Sequence, residues 1–298
     1  MSAHSHAADQ ISIAAITTPE EVEEFQAIDR RVWGGDQSIP GHVLLTHGRY
    51  GGLLLISRDT AGQGIGVLLG FPGLKDGRIV HCSHLLGVVP EWRSHDVGYL
   101  MKRRQREFVR AQGLDLVVWT FDPLETRNAR LNIGRLGGIC RDYTANLYGV
   151  MRDSLNAGLD SDRLTVEWHI RHPAVIARLD GRSQSPSVAT LLDQGTPLVT
   201  STTLQYDARA ERPLLYLQDI APDATESRLL VEAPADFQTI KRVDSEAARA
   251  WRMGMRAILQ DLFAHDYAIV DLLVERQDDG SRRCYYLLGY ADEYLGEL

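Results

Sequence analysis

Residues 86–101, LGVVPEWRSHDVGYLM, have the composition of a loop that holds an anion between a strand and a helix. A loop that opens a helix presents unpaired backbone N–H groups and the positive end of the helix dipole. Gly98 lacks a Cβ, so phosphate oxygens can approach the backbone closely, and Arg93 can neutralise phosphate charge. The spacing therefore predicts a binding site for a diphosphate.

The helix that follows this loop is strongly basic in a chain whose formal net charge is -8. Apolar residues recur at helical spacing through residue 109, which predicts an amphipathic helix with basic residues over much of its remaining surface. That surface can neutralise further charge on the same ligand, although taken alone it is also typical of a solvated helix face. The basic residues are Lys102, Arg103, Arg104, Arg106 and Arg110.

The same segment resembles the signature of the GNAT superfamily of N-acetyltransferases. In that family a strand ending in V-x-P-x-(aromatic)-R is followed by x-x-G-x-G and an amphipathic helix, and the chain matches without insertion or deletion. The resemblance implies acetyl-CoA or a related acyl-CoA as co-substrate. The matching positions are Val88, Pro90, Trp92, Arg93, Val97 and Gly98. The cofactor-binding residues that it implies are Leu86, Gly87, Val88, Arg93, Ser94, His95, Asp96, Val97, Gly98, Tyr99, Asn128 and Asn132.

The resemblance also implies a geometry for acyl transfer. In GNAT proteins the strand that carries the motif splays from the next parallel strand, and pantetheine adds to its exposed edge. Here Leu86 and Val88 would supply the backbone groups, and residues 116–121 would form the strand across the gap. A bound amine would attack the thioester directly, while a backbone N–H near Leu86 stabilises the oxyanion.

Two departures from the family pattern concern proton delivery and phosphate binding. The second family signature, A-x-x-x-Y-x-x-x-G-F, matches at Ala129 and Gly137, but Ile133 replaces the tyrosine that protonates the thiolate and Gly138 replaces the aromatic residue. Asp96 stands where the phosphate loop has its first glycine, and we expect it to turn away and cap the helix. The remaining candidates for the acid are Tyr143, Tyr148 or water.

His84 and Glu125 are the candidate bases for the incoming ammonium group. His84 is expected to share a strand face with Leu86 and Val88, and a neutral imidazole suits proton removal. A hydrogen-bonded structural histidine and a helix-capping glutamate are the alternatives. Alternation splits the run of residues 81–84, HCSH, between two faces, which leaves too few ligands for a zinc site, and no metal is expected.

The elements that must position these residues read as α, β, β, β, α, β, α over residues 20–136. The first helix opens at Thr18-Pro19-Glu20-Glu21, and a later one at Asp122 runs through Leu136. This order predicts an α/β fold in which a GNAT-like mixed central sheet is flanked by helices. The strands are expected at residues 52–57, 65–71, 79–89 and 116–121.

The last third of the chain repeats the order strand, long helix, strand, strand over residues 228–288, with the helix at 245–265. It lacks the R-x-x-G-x-G motif, so it resembles a second, degenerate GNAT-like lobe, as in tandem GNAT-type proteins. We therefore expect a disordered tail at 1–10, an acyl-CoA-binding domain at 11–160 and a C-terminal α/β lobe at 161–298.

Composition restricts the function classes. The negative net charge disfavours nucleic acid and anionic membranes as partners, and three dispersed cysteines with no long apolar stretch favour a cytoplasmic protein. The leading hypothesis is an N-acyltransferase, most simply an acetyltransferase, that acts on a small amine or amino-acid-like metabolite. A homodimer is compatible with this hypothesis. A non-catalytic acyl-CoA sensor and a tRNA-dependent aminoacyl transferase are the alternatives.

Overall fold

The computed structural model describes residues 11–34, 38–149, 158–221 and 226–296. The predicted tail at 1–10 lies outside these ranges. The chain forms two compact units, residues 1–119 and 120–298. The boundary predicted near residue 160 separates an acyl-CoA-binding domain from a second lobe. It is a division by function, and it stays a prediction. None of the helices in the described ranges combines the length and apolar character needed to span a membrane.

The first unit is a mixed sheet with helices on both faces. Its strands are hydrogen-bonded in the order β1-β2-β3-β4-β5; neighbours from β1 to β4 are antiparallel, whereas β4 and β5 are parallel. The strands are β1 (Ser12–Ala15), β2 (Leu53–Arg58), β3 (Gly64–Lys75), β4 (Arg78–Val88) and β5 (Leu116–Phe121), the last of which ends in the second unit. The helices are α1 (Pro19–Trp33), α2 (Gly41–Arg49) and α3 (Val97–Ala111), with a 3-10 turn at Pro90–Trp92.

Helix α1 begins as the sequence predicts. The Thr18 hydroxyl accepts a hydrogen bond from the Glu21 N–H, and the Glu21 carboxylate accepts from the Thr18 N–H, which completes a capping box. Its apolar stripe, including Phe25 and Ile28, packs into the core of the unit with strands β2 and β3. Burial of that stripe anchors α1 on the sheet.

Helices α1 and α3 lie on opposite faces of this sheet. A Cβ added at Gly87 would lie 2.3 Å from the Trp33 ring at the end of α1, whereas one at Gly66 would lie 3.3 Å from the Met101 sulfur of α3. Gly66 pairs with Val88, the neighbour of Gly87, and neighbouring strand residues face opposite sides. The motif strand β4 is therefore covered by a different helix on each face.

The second unit contains an antiparallel run of strands in the order β7-β6-β11-β12-β10 and a separate hairpin of β8 and β9. The strands are β6 (Ile139–Thr144), β7 (Arg163–His169), β8 (Thr200–Asp207), β9 (Arg212–Ile220), β10 (Arg228–Ala233), β11 (Tyr267–Arg276) and β12 (Arg282–Tyr290). The helices are α4 (Thr126–Ala129), α5 (Pro173–Leu179), α6 (Val188–Asp193), α7 (Phe237–Val243), α8 (Ser245–Ala264) and α9 (Ala291–Leu295).

The helix predicted from Asp122 to Leu136 is wrong in form. The α-helical part is only Thr126–Ala129, and residues Arg130–Arg135 continue as a π-helix. Asp122 does not cap a helix, because its carboxylate pairs with the Arg252 guanidinium on α8 and accepts the Leu124 N–H. π-Helical segments are locally strained and are frequent at functional sites.

Gly138 is explained by packing rather than by ligand contact. A Cβ at this position would lie 2.5 Å from Val166 Cγ1 and 2.9 Å from the Asn132 carbonyl oxygen. The aromatic residue of the family signature has no room here, because β7 passes too close. The departure at Gly138 therefore reflects the local approach of β7.

The order strand, long helix, strand, strand predicted for residues 228–288 is present as β10, α8, β11 and β12. Between β10 and α8 the chain also contains α7, whose N-cap Asp236 carboxylate accepts a hydrogen bond from the Thr239 N–H. Four other helices, α2, α5, α6 and α9, were also missed. The degenerate GNAT-like character of this region remains a prediction.

Candidate functional site

Strands β4 and β5 form a fork. They pair in parallel only at His81 with Val117 and at Cys82 with Val118, yet β4 continues to Val88 and β5 to Phe121. Beyond the last pair, the edge of β4 that faces β5 has no strand partner in the described pairing. An extended ligand with amide groups can hydrogen-bond to such an edge.

The loop between β4 and α3 holds two residues in left-handed backbone conformations. Ser94 has φ 74° and Asp96 has φ 60°, values that L-residues other than glycine adopt rarely. The first helical bond is donated by the Leu100 N–H to the Asp96 carbonyl, at 2.9 Å. The amides of Val97 and Gly98 precede it in the first turn and have no intrahelical acceptor, as at the start of any helix.

Asp96 is the N-cap residue of α3, but its side chain makes no cap hydrogen bond, so the expected capping is wrong. Its backbone takes a left-handed conformation, which glycine adopts more readily than any residue with a side chain. Asp96 therefore combines a conformation that favours glycine with a carboxylate. Strain of this kind costs about 1 kcal/mol and tends to persist at functional sites.

Arg93 folds back on the end of β4. Its Nε donates to the Val88 carbonyl at 3.2 Å, which closes the loop around the 3-10 turn. Trp92 and His95 contact each other through their rings, with centroids 5.5 Å apart. These contacts give the loop a defined shape, although one of the backbone acceptors expected to meet pantetheine is already occupied.

A β-bulge in β4 changes the face of the candidate base. Leu85 pairs with Leu69 and Ser83 pairs with Gly70, so His84 is the extra residue. Paired residues share a face, so Leu86 lies on the face of Leu68. Phe71, whose ring His84 contacts, lies on the opposite face together with Leu69. The expectation that His84 shares a face with Leu86 and Val88 is therefore wrong.

The bulge directs His84 toward Phe71, with ring centroids 5.8 Å apart, and His47 of α2 stacks on that phenyl ring at 4.6 Å. His84 is exposed at one side, and desolvation of the rest of the ring lowers the pKa of its imidazole, with His47 acting in the same direction. The lowered pKa favours the neutral imidazole that a general base requires. Its catalytic role stays a prediction.

Gly87 is required by packing. The Trp33 ring would lie 2.3 Å from any added Cβ, so α1 can reach β4 only at a glycine. Its predicted contribution to the site is limited to backbone groups, like those of Leu86 and Val88.

Lys102 does not belong to the solvent-exposed basic surface that the sequence predicts. Its side chain is 1% exposed, its Nζ donates to Ser83 Oγ at 2.8 Å, and the same nitrogen lies 3.5 Å from the centroid of a Trp119 ring. Burial lowers the pKa of the Lys102 amine well below its usual value, and the nearby Cys82 thiol only partly opposes this. The sequence alone does not indicate that Lys102 is buried, because Lys102 lies within a run of arginines.

A second buried polar pair lies on the same face. Gln105 Nε2 and His81 Nε2 are 3.1 Å apart, and a Cβ at Gly70 would lie 2.3 Å from that imidazole nitrogen. Burial lowers the pKa of His81 to about 4, and the Lys102 charge acts in the same direction. The Nδ1 of His81 and the Oε1 of Gln105 are buried without a hydrogen-bond partner among the described residues.

The other predicted site residues belong to the second unit. Glu125 is the N-cap residue of α4, but its carboxylate makes no cap bond and accepts from Gln238 Nε2 on α7. Burial raises the pKa of this carboxyl. Asn128 is exposed, whereas Asn132 is buried in the π-helix, and its carbonyl accepts from the Gly138 N–H at 3.0 Å.

The two candidate tyrosines have different environments. The Tyr143 hydroxyl donates to Asp162 at 2.5 Å, and burial together with that carboxylate raises the pKa of the phenol far above its usual range, so Tyr143 is a poor acid. The Tyr148 hydroxyl lies 3.0 Å from Thr120 Oγ1 near the end of β5 and is exposed. Tyr148 is therefore the better candidate for proton delivery.

Among the described residues, no group of three or more His, Cys, Asp or Glu side chains is arranged to hold a metal ion. No family model matches the chain. No curated protein matches it either.

Solved structures of acetyltransferases are similar to part of the chain. An acetyltransferase of the GNAT family from Streptococcus pneumoniae is 12% identical over 53% of this chain and 98% of its own, with a TM-score of 0.44. A Salmonella typhimurium protein solved with its cofactor acetyl-CoA is 16% identical over 55% of this chain and 96% of its own, with a TM-score of 0.44.

The ribosomal-protein-S18-alanine N-acetyltransferase from Escherichia coli is 12% identical over 54% of this chain and 94% of its own, with a TM-score of 0.43. Similarities of this size indicate neither a substrate nor an activity. The Streptococcus pneumoniae protein is named as a member of the GNAT family, the family whose motifs the sequence resembles over residues 79–140.

Proposed function

We propose that the chain binds the coenzyme A part of an acyl thioester along the fork and transfers the acyl group to an amine. The observation that carries the proposal is the early end of pairing between β4 and β5, after Cys82 and Val118, on the strand that leads into the strained loop. This arrangement supplies an open strand edge for amides and a helix start for phosphates.

In the proposed mechanism the protein acts mainly by positioning. The diphosphate binds the amides at the start of α3, and pantetheine extends along β4 toward the fork. On the edge of β4 that faces β5, pairing ends at Cys82, so a backbone N–H near Leu86 on that edge is proposed to stabilise the oxyanion of the attacked thioester. A neutral His84 accepts a proton from the amine, and Glu125 is the rival base.

The departing thiolate requires a proton from a residue other than the usual tyrosine, because Ile133 is buried and apolar. We propose Tyr148 for this step, since the proton of Tyr143 is held by Asp162. For the acceptor we keep the small amine or amino-acid-like metabolite as the proposal. A non-catalytic acyl-CoA sensor is the second candidate, favoured by Ile133 and by the carboxylate of Asp96.

Calorimetric titration with acetyl-CoA and free coenzyme A tests the binding step. A Gly98→Glu variant should lose binding, because a carboxylate would occupy the phosphate position. Gly73→Glu is the matched control: it adds the same charge on β3 at a site with no atom within 4 Å of an added Cβ, and it should bind normally. Equal binding by both variants would contradict the proposed site.

Thiol release with a panel of small amines and peptide N-termini then separates a transferase from a sensor. A transferase releases coenzyme A only when an acceptor is present. Binding without acceptor-dependent release would favour the sensor.

A further inference from the structure

Lys102 occupies the closed end of the fork. Its Nζ contacts Ser83 on β4 and Trp119 on β5, and these are the first residues of each strand after the last pair, Cys82 with Val118. The amine therefore bridges the two strands at the point where they begin to separate. It reaches this point because Lys102 lies on the buried stripe of α3, beside Met101 and Gln105.

The energetics of this amine are unusual for a residue with only a structural role. An ammonium group has three donors, and within the described residues the hydrogen bond assigned to it is that with the Ser83 hydroxyl. The face of Trp119 favours a cation, yet no carboxylate contributes to its charge state. An amine buried without an anionic partner gives up its proton readily, and a ligand carboxylate at this point would favour the protonated form.

The length of the fork indicates which part of a ligand reaches Lys102. The diphosphate is proposed to bind beyond the C-terminal end of β4, so the acyl group leads toward the closed end. Strand residues advance by about 3.3 Å, which puts Ser83 roughly 10 Å from the thioester position near Leu86. An acetyl group is too short to approach Lys102, whereas a four-carbon acyl group that is hydrogen-bonded at both ends can span the interval.

We propose that Lys102 binds the free carboxylate of a dicarboxylic acyl group, so that the preferred donors are thioesters of the succinyl class. This inference rests on the proposed function, since it assumes the same path of coenzyme A along β4. It makes Lys102 a specificity-determining residue, with Ser83 orienting the amine and Trp119 stabilising its charge. The sheet edge and the loop then bind coenzyme A itself, whatever its acyl group.

Calorimetric titration with succinyl-CoA, butyryl-CoA and free coenzyme A tests the proposal. Succinyl and butyryl groups have the same chain length and differ by the terminal carboxylate. A charge-assisted hydrogen bond predicts that the wild-type protein binds succinyl-CoA about tenfold or more tightly than butyryl-CoA. A wild-type protein that binds butyryl-CoA as tightly as succinyl-CoA overturns the proposal.

Lys102→Met supplies the matched variant, because methionine fills a similar volume without charge. Its affinity for butyryl-CoA should be kept or improved, while the succinyl preference disappears. A variant that changes thermal stability but keeps the succinyl preference would show that Lys102 is structural only. If Lys102→Met does not fold, the wild-type ratio alone decides.

Failure of the proposed function has a different signature. If the folded protein binds none of the three compounds, the fork does not hold coenzyme A and both proposals fail. If free coenzyme A binds but the carboxylate gives no advantage, only the role of Lys102 is lost.

Discussion

At the scale of single residues, Asp96 combines a backbone that favours glycine with a charge that opposes a phosphate ligand. Its φ of 60° is costly for a residue with a side chain, and its carboxylate lies at the start of α3. The loop therefore keeps its shape, but the Asp96 carboxylate repels a phosphate ligand. Replacement by glycine removes both the charge and the strain, and the salt dependence of binding distinguishes the charge effect.

We predict that Asp96→Gly binds coenzyme A about three- to tenfold more tightly, because one negative charge is removed close to the diphosphate. Salt screens such charges, so the gain should shrink at high ionic strength. Asp76→Gly is the control, since Asp76 also has a positive φ, 50°, in the β3–β4 turn. Calorimetry at low and high salt checks both, and an equal gain in the control would refute the electrostatic explanation.

His81 makes the stability of the protein depend on pH. Its folded pKa of about 4 lies below the ordinary value of 6.5, so the unfolded chain binds the proton more readily. Stability is thus fully present above pH 6.5 and is lost as the pH falls toward 4, by about 3 kcal/mol in all. Thermal midpoints across this range should fall for the wild type and fall less steeply for His81→Leu. The exposed His95→Gln variant should follow the wild type, and parallel curves for all three proteins would contradict the assignment.

The tyrosines give a further test of proton delivery. Tyr148→Phe should lower kcat with little change in stability, because the hydroxyl is exposed. Tyr143→Phe should instead cost about 1–3 kcal/mol of stability by leaving Asp162 short of a donor, with kcat of the folded fraction retained. Steady-state kinetics and denaturant titrations measure the two effects, and the opposite pattern would exchange the roles.

At the scale of elements, the close contact between α1 and β4 is a constraint on the motif strand. We predict that Gly87→Ala destabilises the protein by about 1–3 kcal/mol, since the added methyl group must displace the Trp33 ring. Gly73→Ala on β3 meets no atom within 4 Å and should change stability by less than about 0.5 kcal/mol. Urea titrations of both variants decide, and equal effects would show that Trp33 moves aside freely.

The same elements show what the sequence could and could not predict. Helix α1 was predicted from its capping box, and β4 from its apolar run, because these signals are local. The bulge at His84 was not, since it depends on how β3 pairs with β4, and one extra residue reverses every face beyond it. Lys102 was misassigned for a related reason: its neighbours in sequence are exposed arginines, whereas its neighbours in space are Ser83 and Trp119.

The π-helix and Gly138 are further cases in which packing overrides the local pattern. The capping pattern at Asp122 predicted a regular helix through Leu136, but residues Arg130–Arg135 form a π-helix, and Val166 of β7 leaves no room for a side chain at Gly138. A sequence without structural context carries no sign of that approach. The motif loop, by contrast, was predictable in position because a strand, a glycine and a helix start occur in fixed order.

At the scale of the whole molecule, the net charge of -8 bears on the choice of donor. A tRNA-dependent aminoacyl transferase would have to attract a large polyanion, whereas a coenzyme A thioester needs only local positive charge. The basic run on α3 is weaker than its sequence suggests, because Lys102 is buried and Arg104 pairs with Glu107 at 3.0 Å.

We therefore predict no measurable tRNA binding even at low salt, where such binding is strongest. Fluorescence anisotropy with labelled tRNA measures it, on a sample whose titration with coenzyme A shows that it is folded. Binding that weakens steeply with added salt would reverse the argument, because it would require a phosphate-binding surface that overcomes the negative charge of the whole chain.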